Sequence, residues 1–143
     1  MQKILFVCTG NTCRSPMAQA LADEFFKANN LAFLTASAGV FAADGAAASA
    51  NAVAVLSETY NINFSSHKST NVNSFKLDEF TVIIAMTSSH KAHLEAAHPH
   101  LAPKICTFDD DVSDPFGGNL EIYQQCAAQI KKYIENLEWR KYL

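Results

Sequence analysis

The chain has 143 residues, a formal net charge of −3, 49% hydrophobic residues and 17% charged ones. That length suits a single domain over 1-143, since domains run roughly 100–200 residues, and a chain of this size needs no disulfide staples. The composition excludes disordered and fibrous classes. It offers no basic stripe for nucleic acid and no polybasic cluster for a membrane surface, and no apolar run approaches the ~18–20 residues of a membrane span.

The first predicted element is Ile4–Val7, a continuous apolar run of the kind that forms a strand covered on both faces. It lacks the long apolar region and small-residue cleavage site of a signal peptide, so a cytoplasmic location is expected. A helix is predicted over Pro16–Ala28, with Met17, Leu21, Phe25 and Ala28 on its apolar stripe, followed by a strand over Phe33–Ser37. The second half of the alanine-rich stretch Ala42–Ala54 reads as the start of a helix, with Val53, Leu56 and Tyr60 on one face. Phe80–Met86 is a second continuous apolar strand, and a helix over Ser88–Ala97 stops before Pro99. Lys104–Phe108 is a weaker strand. The last helix runs from about Leu120 past Leu137, carrying Tyr123, Cys126, Ile130, Ile134 and Leu137 on one side. Strands alternating with helices predict an α/β fold, a parallel sheet with helices on both faces. Ligands of such sheets bind beyond the carboxyl ends of the strands, at a switch in strand order.

The loop after the first strand carries the chemistry. It reads Cys8-Thr9-Gly10-Asn11-Thr12-Cys13-Arg14-Ser15, followed by Pro16. Ser15 suits a helix N-cap and Pro16 the first helical position. The helix start then presents free backbone N–H groups and a partial positive charge, a ready anion site. Gly10 and Asn11 tolerate left-handed angles, so the loop can curl its amides inward. The field that attracts a phosphate also favours a thiolate on Cys8, the candidate nucleophile. Arg14 offers a planar fork for two phosphate oxygens. A Walker phosphate loop is excluded because no Gly-Lys-Ser/Thr appears, and a dinucleotide loop because Gly10 stands alone.

A cysteine, five intervening residues and Arg-Ser between a strand and a helix resemble the signature of the low-molecular-weight protein-tyrosine-phosphatase family. The likeness runs nearly end to end, through Ser37-Ala38-Gly39, Ser66-His67-Lys68, Ala85-Met86-Thr87 and Asp114-Pro115-Phe116-Gly117-Gly118. It implies a three-layer fold around a four-stranded parallel sheet of order 2-1-3-4. It also implies a cofactor-free hydrolase that works on phosphorylated proteins or peptides through a phosphocysteine and releases inorganic phosphate. Asp114, stiffened by Pro115, is the candidate general acid. By the same resemblance Asn11, Ser37 and His67 hold the phosphate loop in shape, and Ser15 donates to the thiolate. Cys13 pairs reversibly with Cys8 to protect it from over-oxidation, or is a small core residue. Cys106 and Cys126 are expected to pack in the core.

Competing readings of nearby residues fall away on spacing. Asp109, Asp110, Asp111 and Asp114 miss the calcium-loop pattern. His90, His93, His98 and His100 are joined by no cysteine or carboxylate at a ligand spacing, so they read as a solvated helix end and no metal is expected. A thioredoxin-linked arsenate reductase needs two further cysteines after the third strand, and residues 87–100 contain none. A phosphocarrier needs neither Arg14 nor Asp114.

For the substrate, tyrosine-specific members carry a tyrosine pair after Asp-Pro, where this chain has Phe116 and Gly117. Many also carry an aliphatic residue at the position of Thr12. Threonine there resembles the bacterial protein-arginine-phosphatase branch, and Phe41 and Phe116 are expected to flank a guanidinium plane. Phosphoarginine is favoured, with phosphotyrosine as the alternative.

Overall fold

Alternation along β1 (Gln2–Cys8) sorts its side chains into two cores. In the computed structural model, which describes residues 1–143, Ile4, Phe6 and Cys8 join a cluster of 26 buried residues. Leu5 and Val7 join a second cluster of 11 on the opposite face. The larger cluster is roofed by α1 (Arg14–Ala28), α2 (Ala50–Tyr60) and α4 (Leu120–Asn136). The smaller is closed by α3 (Ser88–Ala97) and the short 3-10 turns around Val72, Leu77 and Leu101.

The sheet adds β2 (Phe33–Gly39), β3 (Val82–Ala85) and β4 (Ile105–Thr107), all parallel, in the order β2-β1-β3-β4. This is the expected order 2-1-3-4. From β1 the chain crosses to one side to form β2, then to the other side to form β3. The switch point therefore lies at the carboxyl end of β1, where the loop from Cys8 to Ser15 begins. Cys8 pairs in register with Gly39, and Val7 with both Ala38 and Ala85.

Several boundaries differ from expectation for identifiable reasons. β2 continues past Ser37 to Gly39, because it follows β1 as far as Cys8. β3 starts at Val82, since Phe80 ends a 3-10 turn over Leu77–Glu79. α1 begins at Arg14 with Cys13 as N-cap, and no side chain caps it. Ser15 is thus not the cap. Its hydroxyl is committed to the loop described below. On α1, Phe26 rather than Phe25 is fully buried, together with Ala18 and Ala22, while Ala28 is exposed. The buried face of α2 is Ala52, Val55 and Leu56, and Val53 and Tyr60 are only half-buried. α4 stops at Asn136, and Leu137 takes extended angles. That break lets Trp139 fold back: its indole Nε1 donates to the Ile134 carbonyl at 2.7 Å, and its ring packs edge-on against Phe26 at 4.8 Å. No helix is long and apolar enough to cross a membrane.

Candidate active site

The loop from Cys8 to Arg14 curls around a cleft of about 230 Å³, closed on its far side by Asp114 and Phe116. The backbone N–H groups of Gly10, Asn11, Thr12 and Cys13 find no acceptor within the protein. Unpaired amides at a helix start that no side chain caps are what an anion site requires. A capping oxygen at Cys13 or Ser15 would compete with the anion for the same donors.

Asn11 holds the loop in this shape. It is fully buried and left-handed, with φ 56°, a conformation asparagine tolerates better than most residues. Its side-chain oxygen accepts from the Thr70 amide at 2.9 Å, which orients the side chain so that Nδ2 donates to Ser15 Oγ at 2.8 Å. Its carbonyl accepts from His67 Nε2 at 2.9 Å. Because Ser15 Oγ already accepts from Asn11, its own proton is free to donate. It lies 2.9 Å from Cys8 Sγ and 3.3 Å from the Ala38 carbonyl. A thiolate on Cys8 would therefore receive the Ser15 proton, and a neutral thiol would release that proton to Ala38. Burial pushes the His67 pKa below the ordinary histidine value, while its bond to Asn11 acts the other way.

β2 presses against the loop from the side. The Val40 and Phe41 amides donate to the Cys8 and Thr9 carbonyls at 2.9 and 3.0 Å. Gly39 sits so close that a Cβ there would lie 2.5 Å from the Thr9 carbonyl oxygen and 2.9 Å from the Asn11 nitrogen.

Arg14 is buried under the cleft. Nη1 donates to the Val112 carbonyl at 3.0 Å, Nη2 donates to Thr9 Oγ1 at 3.3 Å, and Nη2 lies 3.8 Å from Asp114 Oδ2. Asp114 is itself held by the Phe116 amide, which donates to Oδ1 at 3.1 Å. The turn that follows explains the Gly-Gly pair. The Gly118 amide closes on the Pro115 carbonyl at 2.8 Å, with Gly117 at φ 81°, as a type II turn demands at its third position. A Cβ on Gly118 would meet Ile122 at 2.8 Å.

Some expected residues stand elsewhere. Ser37 does not support the loop: its hydroxyl donates to Gln19 Oε1 at 2.7 Å and ties β2 to α1. Phe41 does not line the cleft. It is 71% exposed and packs edge-on against His93 at 5.1 Å. His90 is not a solvated residue but is buried behind the loop. Ser49, Tyr123 and Val112 carry contacts that no local sequence pattern announced. The Ser49 amide donates to the Thr12 carbonyl at 2.9 Å, and Cys13 Sγ lies 3.3 Å from the Tyr123 hydroxyl and 3.5 Å from Ser49 Oγ. All four cysteines are free. Burial pushes the Cys126 thiol up to about 12 and raises that of Cys106, which leaves both as packing residues.

Comparison with known proteins places the chain in a family. The sequence profile of the low molecular weight phosphotyrosine protein phosphatases matches residues 3–141. The chain belongs to this family. As a phosphatase of that family it is a hydrolase. It is 40% identical to a protein-arginine-phosphatase of Geobacillus stearothermophilus, covering 94% of this chain and 93% of that one. It superimposes on a low molecular weight protein tyrosine phosphatase of T. tengcongensis with a TM-score of 0.90 at 39% identity, covering 94% and 96% of the two chains. A serine-for-cysteine mutant of the arginine phosphatase YwlE, solved with its active-site serine phosphorylated, gives 0.92 at 32% identity over 99% and 100%.

Two expectations follow for this phosphatase. Gly39→Ala forces the loop backbone to move, and a displacement near 1 Å costs about 100-fold in rate. Hydrolysis of an aryl phosphate should fall on that order while thermal unfolding still shows a folded protein. Unchanged turnover would show that the close approach does not matter. The second concerns acid. Burial, reinforced by Arg14, lowers the His90 pKa to about 4 from its ordinary 6.5. The folded state then binds fewer protons than the unfolded one. The His90 contribution to stability is fully present above about pH 6.5 and is lost as pH falls toward 4. The melting temperature of the wild type should drop more steeply over that window than that of His90→Gln, and parallel curves would remove the assignment.

Proposed function

We propose that this protein hydrolyses phosphoarginine in proteins or peptides. The observation that carries the reading is Thr12 in the wall of the cleft. Its backbone is pinned by the Ser49 amide, and its hydroxyl lies 3.7 Å from Cys13 Sγ. A hydroxyl there can meet the polar edge of a guanidinium, where an aliphatic residue offers only bulk. Similarity to protein-arginine-phosphatases at 40% and 34% identity supports the same reading, beside a solved tyrosine phosphatase at 39%. Phosphotyrosine is the second reading, since the exposed ring of Phe116 that lines the cleft would stack on a phenol as well as on a guanidinium.

In this mechanism the Cys8 thiolate attacks phosphorus in line, forming an S–P bond as the P–N bond breaks. Asp114 gives its proton to the departing guanidine nitrogen, and then, as a carboxylate, takes one from the water that attacks phosphocysteine. Inorganic phosphate leaves, and Cys8 returns to thiolate. Arg14 and the loop amides stabilise the equatorial oxygens in both steps. Thr9 and Gly10 contribute to the cradle through their place in the cleft wall. Reversible oxidation of Cys8 with Cys13 and a cytoplasmic setting belong to the same proposal.

The test compares turnover of phosphoarginine- and phosphotyrosine-containing proteins by wild type and Thr12→Ile. Cys8→Ser, which should lose turnover and keep phosphate binding, serves as the inactive reference. The wild type should prefer phosphoarginine. Thr12→Ile should move the ratio of the two kcat/KM values about 10- to 100-fold toward phosphotyrosine, the range one pocket group commands. A wild type without phosphoarginine activity would overturn the reading.

A further inference from the structure

His90 is a buried histidine on the third turn-forming position of α3, behind the phosphate loop and outside the cleft lining. Both of its ring nitrogens are engaged. Nε2 lies 2.7 Å from Thr9 Oγ1, and Nδ1 lies 3.0 Å from Thr87 Oγ1. Thr87 is the N-cap of α3, and its hydroxyl oxygen also accepts from the His90 amide at 3.1 Å. The ring is thus clamped from below by the helix start. Above it, Thr9 Oγ1 is shared, because Arg14 Nη2 donates to the same oxygen at 3.3 Å. A continuous chain of hydrogen bonds therefore runs from the cap of α3 through an imidazole and a loop hydroxyl to the guanidinium.

We propose that His90 is a positioning residue for Arg14, acting through the Thr9 hydroxyl. The Arg14 guanidinium is planar, and two fixed acceptors on its terminal nitrogens set its plane. Val112 supplies one, at 3.0 Å from Nη1, and Thr9 supplies the other. The Val112 carbonyl belongs to a buried backbone segment whose own amide donates to Met86. Thr9 Oγ1, by contrast, sits on a side chain at the edge of a cleft, and a threonine hydroxyl can turn about χ1. The His90 ring, 2.7 Å away, is what holds it in place.

The direction of the chain follows from its ends. Arginine only donates, so Thr9 Oγ1 accepts from it and is polarised toward giving up its own proton to Nε2. Nδ1 then carries the ring proton and donates to Thr87 Oγ1. Every donor points the same way, from Arg14 toward α3. The neutral ring this needs is consistent with its burial and with Arg14 close by. A group held by such a chain meets phosphate without reorganisation, which is where most of the value of a fixed electrostatic site lies.

The test is a double-mutant cycle read on a generic aryl phosphate, so that its outcome does not depend on whether arginine or tyrosine is the natural leaving group. It rests only on the phosphatase reading, and inorganic phosphate affinity supplies a readout that needs no turnover. His90→Leu and Thr9→Val should each lower kcat/KM about 10- to 100-fold, the cost typical of losing an outer-shell partner, and each should weaken inorganic phosphate binding. The double variant should be no worse than Thr9→Val alone, because His90 acts through Thr9. His90→Gln, which keeps a hydrogen-bonding group within reach of Thr9, should recover most of the loss. Additive losses, or a His90→Leu protein with wild-type kcat/KM and phosphate affinity, would overturn the proposal. A measurement without any substitution at His90 guards against a variant that fails to fold. In the wild type, saturating phosphate should shift the ring nitrogen resonances of His90, and Thr9→Val should abolish that response. A response that survives Thr9→Val would sink the relay.

Discussion

The geometry of the site depends on Asn11 being held in a left-handed turn. That conformation costs a non-glycine residue roughly 1–2 kcal/mol. Asn11 offsets it with bonds to Thr70, Ser15 and His67, each contributing about 0.5–1.5 kcal/mol. The reversal at Asn11 keeps Cys8 at one end of the loop and Arg14 at the other on the same cleft. A glycine at this position would turn as easily and would hold nothing. The side chain matters because it converts a permitted conformation into a fixed one.

The partners of the loop come from distant parts of the chain. Gly39 closes in from the end of β2, His67 and Thr70 from the segment after α2, and Ser49 from the start of α2. None of these is within twenty residues of Asn11. The loop is therefore a product of the assembled sheet and not an autonomous turn. Parallel pairing explains how: β1 and β2 end together at Cys8 and Gly39, so whatever follows β2 arrives beside whatever follows β1.

That dependence decides what the sequence could show. The strand–loop–helix run from Cys8 to Ser15 is contiguous, so its residue types and spacing displayed the anion site directly. The two central strands were equally legible, because burial on both faces leaves an unbroken apolar run; the strand order came from the family resemblance and not from any such pattern. The loop-supporting role expected of Ser37 and the cap role expected of Ser15 both fail, for reasons that lie in the tertiary structure. Ser37 was expected to hold the loop, and only the assembled sheet and helix show that it faces Gln19 on α1, whereas the contact of Ser15 with Cys8 is the one the family resemblance implied. Ser15 looked like a cap by local rules, yet an anion site works better with its helix uncapped. His90 looked solvated because it stands among other histidines in a polar stretch. Its burial follows from the packing of α3 against β3 and β4, which no local pattern records.

Arg14 is where these supports meet. From one side Thr9 and His90 link it to the start of α3. From the other, Val112 and Asp114 link it to the loop that carries the acid. Those two sides are themselves joined, since the Ser88 amide of α3 donates to Asp111 at 2.8 Å and the Val112 amide to Met86 at the end of β3. Arg14 and Asp114, the proposed phosphate-holding cation and proton donor, thus share one scaffold, the carboxyl end of β3. The charge balance is also decided there. A protonated His90 would place a second cation 2.7 Å from Thr9 and oppose Arg14. Burial and Arg14 itself hold the His90 pKa down to about 4, so the positive charge offered to the cleft is that of the one guanidinium and of the loop amides around it.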